Sequence, residues 1–167
     1  MQTFLPYPNF KKSVQVLDYK RLGKQRVESF QVLNILLRRT DTKGWVNHPV
    51  TKMWAGYESA LQLYQNFTIT EWIKKGYKNN MELEVIADQA EMPHWLGDEK
   101  LHRSHRSNLL RKDWEYYSPY FNEDPTLPYF WPSQIQTFED GVANQQEKPY
   151  NIEYNIQQTE KETYARE

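Results

Sequence analysis

Apolar residues recur at helical spacing in three stretches of the chain, and that pattern predicts a mainly α fold, a compact bundle of three main helices. In the first stretch Val16, Val27, Phe30, Leu33 and Leu37 predict one long helix from about Ser13 to Arg39, with Ser13 as its N-cap. In the second, Pro49 suits a first helical turn with Asn47 or His48 near the cap. Met53, Trp54, Tyr57, Ala60, Leu61 and Tyr64 then form a helical stripe, continued or restarted through Trp72 and Ile73 to Lys75, with Gly76 as the stop. The third helix is expected from about Lys100 to Tyr117.

The connections are long, irregular and rich in Pro and aromatic residues. Residues 1 to 10 hold Pro6, Pro8 and three aromatics, so they should lie extended across the body. Residues 40 to 48 and 91 to 98 read as loops. Residues 82 to 90 suit a short helix or a short strand. Prolines 119, 125, 128, 132 and 149 exclude long elements after the third helix. Gly23 falls inside the first helix, where it costs about 1 kcal/mol relative to Ala and would permit a close helix–helix contact or the approach of a ligand.

Composition narrows the class. A chain of 167 residues holds one domain with a core of its own. We expect a body over residues 1–138 and a polar, acidic tail over 139–167, able to wrap the body through Tyr150, Ile152, Tyr154 and Ile156. Six Trp and twelve Tyr take over burial that Leu, Ile and Val usually supply. The lack of Cys excludes a disulfide scaffold, a thiolate metal site and a Cys nucleophile. No apolar run nears the roughly 20 residues of a membrane span, and the first residues are unlike a signal peptide. The expectation is a cytoplasmic monomer, associated with the nucleoid when bound to DNA.

Charge is unevenly placed. The net charge is −1, but the tail carries −4, leaving +3 on the body. Residues 11 to 39 hold eight Lys or Arg against Asp18 and Glu28, and residues 100 to 112 hold five with no acid. Two basic segments on a nearly neutral chain suit a polyanion-binding face, although solvated helix faces would give the same counts.

Three constellations could carry chemistry. Asp18, Arg21, Gln25 and Glu28 fall on one helical stripe with Lys24 beside it. A carboxylate there can stabilise the cationic sugar formed when a glycosidic bond breaks, and Arg or Lys can hold flanking phosphates. The plain alternative is a set of helix surface pairs. His102, Arg103, His105 and Arg106 lack the acidic neighbours of a zinc site and suit phosphate contact better. Trp114, Tyr116 and Tyr117 can stack on bases or brace a kinked duplex, or pack in the core. No nucleotide-binding loop, zincin motif or nucleophile elbow is present, and neither metal nor organic cofactor is implied.

Several pieces, in order, resemble the pyrimidine dimer DNA glycosylase family: Asp18-Tyr19-Lys20-Arg21-Leu22-Gly23-Lys24, then Lys74-Lys75-Gly76-Tyr77, then Met92-Pro93 through Gly97-Asp98 to His102, and Trp114-Glu115-Tyr116-Tyr117. The resemblance spans roughly residues 1 to 120. It implies three main helices with the N-terminus against the first, flipping of a nucleotide from double-stranded DNA, and attack on its sugar by the N-terminal α-amine. Such an amine, with an unperturbed pKa of about 8, is partly neutral at neutral pH. Gln2 is large enough to keep Met1, making Met1 the candidate nucleophile. The position matching the family's catalytic Glu holds Arg21, so the carboxylate must come from elsewhere on the helical stripe: Glu28, two turns on, is the first choice, with Asp18 second. Arg21 and Gln25 would position it. Lys24, Arg26, Arg103 and Arg106 would bind phosphates, with His102 and His105 beside them. A DNA glycosylase with or without abasic-site lyase activity is thus expected. A catalytically silent nucleic-acid-binding module and a helical protein-interaction domain are the alternatives.

Overall fold

The computed structural model describes residues 1–87 and 89–132. Among them are six helices and no strand: α1 (Phe10–Gln15), α2 (Tyr19–Leu36), α3 (Pro49–Trp54), α4 (Glu58–Lys74), α5 (Glu99–Lys112) and α6 (Trp114–Tyr117). The tail, including Tyr150, Ile152, Tyr154 and Ile156, lies outside the described residues. No described helix is long and apolar enough to cross a membrane.

The three expected helices are present, and each is broken once. Asp18 interrupts the first. It takes an extended backbone, and its carboxylate accepts from Arg21 N at 3.1 Å, so α2 starts afresh after it. Asn9, not Ser13, caps α1 by accepting from Lys12 N at 2.9 Å. The Ser13 hydroxyl instead donates to Tyr7 O at 2.8 Å and accepts from Tyr7 N at 3.1 Å. His48 caps α3 through Nδ1, and the chain turns at Gly56, with φ of 87°, before α4. Asp113 separates α5 from α6 by accepting from Tyr116 N.

Gly76 ends α4 as expected, in a reverse turn where Tyr77 N donates to Trp72 O and Gly76 N to Ile73 O. Residues 82 to 87 form neither helix nor strand. Their polar backbone is met by a side chain: Glu84 N donates to Asn66 Oδ1 at 2.7 Å, and Asn66 Nδ2 donates to Glu84 O at 2.9 Å.

Helix α2 packs most extensively on α4. A Cβ on Gly23 would stand 3.1 Å from the Trp72 ring, so the glycine serves a helix–helix contact. The stripe that faces inward on α2 is Leu22, Gln25, Ser29, Val32 and Leu33, while Val27 and Phe30 point outward. The inner face is therefore partly polar: Gln25 binds the N-terminal segment, while the Ser29 hydroxyl bonds Gln25 O and the Gln65 side chain of α4. Phe10, Trp54 and Tyr64 meet ring against ring at the centre, with Trp95 edge-on to Trp54.

Candidate active site

The first residues do lie across the body, as a buried strap whose backbone is bonded to side chains of four helices. Gln25 is the main anchor: Oε1 accepts from Phe4 N at 2.8 Å and from the Tyr64 hydroxyl at 2.7 Å, and Nε2 donates to Gln2 O at 2.8 Å. Leu5 is held between two histidines of α5. Its N–H donates to His105 Nδ1 at 2.9 Å, and its carbonyl accepts from His102 Nδ1 at 2.7 Å, whose Nε2 accepts from Gly97 N. Trp54 Nε1 donates to Thr3 Oγ1, and Arg106 Nη1 donates to Pro6 O. Pre-paired backbone of this kind fixes a chain end that would otherwise fray.

The strap ends at a cleft of about 600 Å³. Helix α2 contributes Lys20, Arg21, Lys24, Gln25 and Glu28 to its wall; the strap contributes Met1, Gln2 and Phe4; Lys112 of α5 and Tyr129 complete it. Glu28 is the sole acid in this lining, and its Oε2 accepts from Gln2 N at 3.3 Å. The carboxylate is thus tied to the residue next to the α-amine. Gln2 Oε1 accepts from Thr3 N, while its buried Nε2 has no partner.

Cations crowd the remainder. Arg21 bridges the site's edges, with Nη1 3.3 Å from Asp18 Oδ2 and Nη2 donating to Lys112 O at 3.3 Å. Lys112 has its ammonium held below the usual lysine range, first by partial burial and then by the charges of Arg21 and Lys24. His48, at the start of α3, is also shifted down, mainly by burial; the positive N-terminus adds to this and Glu28 opposes it.

The sequence-selected residues divide sharply. Met1, Arg21, Lys24, Gln25 and Glu28 meet at the cleft. Asp18 does not line it: Tyr117 Oη donates to Asp18 Oδ2 at 2.7 Å and accepts from Asp18 N at 3.0 Å, making the carboxylate a helix cap. Arg26 points to another face, donating to Asn79 Oδ1 and lying 4.3 Å from the centre of the Trp72 ring. The expected phosphate role of His102 and His105 is corrected, because both are fully buried anchors of the strap. His105 is pushed down to about 3, first by burial, then by His102 and Arg106, so it carries no charge at neutral pH. Arg106 is likewise committed inside, paired with Glu99 and Glu123. Tyr117 is buried and stacked on Phe121, which removes it from the DNA-facing set. Arg103 and Trp114 are exposed, and Tyr116 is half-buried against Tyr120.

Sequence reasoning missed Lys20, Gln2, Phe4, Lys112 and Tyr129 as cleft residues. Lys112 lies within the second basic segment, but no spacing rule connects it to α2. Among the described residues no group of three or more His, Asp or Glu could hold a metal ion.

A family model described as pyrimidine dimer DNA glycosylase matches residues 1–85. The match takes in the strap, α1 to α4 and every cleft residue except Lys112 and Tyr129. The Met92–His102 and Trp114–Tyr117 pieces fall outside it. The chain matches no curated protein and no solved structure.

Proposed function

We propose that this chain, which belongs to the pyrimidine dimer DNA glycosylase family, is a base-excision enzyme that binds double-stranded DNA and cleaves the glycosidic bond of a damaged or modified nucleotide flipped into the cleft. The observation that carries this reading is the single carboxylate in an otherwise cationic cleft, bonded to the residue beside the α-amine. When the bond from C1′ to the base nitrogen breaks, the electron pair leaves with the base and positive charge develops on the sugar. Glu28 stabilises that charge. The Met1 α-amine adds to C1′ and loses a proton, for which Glu28 is the nearby acceptor. The C1′–O4′ bond then breaks, O4′ taking its electron pair and the proton back from Glu28, and the opened sugar is left as an imine on the amine; strand cleavage from that imine would make the enzyme an abasic-site lyase as well.

Arg21 and Gln25 act as positioning groups, one tying α2 to the end of α5 and the other locking the strap. Lys20 and Lys24 hold phosphates at the cleft mouth, and Arg103 is an exposed cation on α5 for the same purpose. Trp114 and Tyr116 brace the kinked duplex.

Glu28→Gln is the direct test. It keeps shape and an acceptor for Gln2 N but removes the charge, so base release should fall by about 100-fold or more while duplex binding persists. Base release at the wild-type rate in this variant would overturn the assignment. Salt-sensitive duplex binding by the wild type, with no base release on a panel of lesions, would favour a silent binding module.

A further inference from the structure

Lys112 is the cation of the cleft lining that the reading above leaves without a task. It is the last residue of α5, and it lines the same cleft as Met1, Gln2 and Glu28. Its backbone is fixed, because Lys112 O accepts from Arg21 Nη2 and Arg21 is itself paired with Asp18. Its ammonium lies 6.0 Å from the centre of the Phe4 ring, beside the strap. No acid forms an ion pair with it among the described residues; the charges that act on it are chiefly cations, with Glu28 alone in opposition.

We propose that Lys112 supplies a second reactive amine to this cleft, which captures the C1′ aldehyde of a ring-opened abasic site as an imine. The inference rests on the reading that the cleft takes the sugar of a DNA strand. The Lys112 Nζ lone pair forms the bond to C1′, and the carbonyl oxygen leaves as water. Glu28 then takes a proton from C2′, the C3′–O bond breaks, and its electron pair leaves with the 3′ phosphate. Hydrolysis of the imine restores the amine. Partial burial and the charges of Arg21 and Lys24 enlarge the neutral, nucleophilic fraction of such a lysine at neutral pH. A side-chain amine is also indifferent to how the N-terminus is processed, whereas the α-amine is not.

The test is borohydride trapping of the full chain on a duplex with one abasic site, followed by peptide mapping. Wild type and Lys112→Arg are compared, together with wild type whose α-amine has been acetylated. Lys112→Arg keeps the positive charge but removes the amine, and duplex affinity and thermal melting report that binding and folding survive. The expected result is an adduct on the peptide containing Lys112, retained after α-amine acetylation and lost in Lys112→Arg. An adduct confined to Met1, or an undiminished yield in Lys112→Arg, overturns the proposal and leaves the glycosylase reading standing. Failure of wild type both to form an adduct and to release any base overturns both.

Discussion

At the scale of single residues, the site depends on polar side chains buried to hold backbone. His105 shows the energetic consequence. Its ordinary pKa is 6.5, and burial lowers it to about 3 in the folded chain. Between these values the unfolded chain binds a proton that the folded chain refuses, so stability is full above about pH 6.5 and falls as pH drops through that window. His102 is shifted in the same direction, again mainly by burial. Thermal melts from about pH 7.5 to about pH 4 should therefore show a steep acid limb. His105→Asn should be less stable at neutral pH, because the Leu5 contact is altered, but its acid limb should be shallower. Equal limbs in the two proteins would show that His105 is not the group responsible. Gln25 was legible as a member of the right stripe. Its partners were not, since they sit 21 to 39 residues away along the chain.

At the scale of elements, periodicity located the helices but not their breaks. Asp18 reads equally well as a helix surface acid and as a cap, and what decides is the Tyr117 hydroxyl that fixes it from 99 residues away. Gly76, by contrast, announced its role, because a left-handed position favours the residue without a Cβ. Helix α2 ends in the same kind of reverse turn, with Arg39 N donating to Asn34 O and Arg38 N to Ile35 O. There the left-handed residue is Arg38, at φ of 55°. Arg38→Gly should therefore stabilise the protein by about 1 kcal/mol, raising Tm by roughly 2–4 °C in a calorimetric scan. A lower Tm would mean that the Arg38 side chain contributes more than its backbone costs.

At the scale of the whole molecule, the two basic segments meet only in part. Lys20, Arg21 and Lys24 of the first and Lys112 of the second line one cleft, while Arg106 of the second is paired with the largely buried Glu123 and the exposed Glu99. Counting charge along the chain therefore overstated the number of cations that reach the cleft. On the proposed function, Lys24→Ala should weaken binding to duplexes of unrelated sequence alike and lower the slope of log K against log salt by about 1. An unchanged slope in a binding titration would place Lys24 off the phosphate path. The sequence by itself determined the helical class, the N-terminal strap, the α4 stop and the family, because these follow from local spacing, backbone preference and short ordered motifs. It also brought Glu28, Arg21, Gln25 and Lys24 together, since one helix suffices to do so. Only the tertiary structure decided that Asp18 is a cap, that His102, His105 and Tyr117 belong to the interior, and that Lys112 joins Glu28. Each of those outcomes depends on which distant group supplies the partner, and burial and pairing between segments far apart in the chain leave no periodic trace in it.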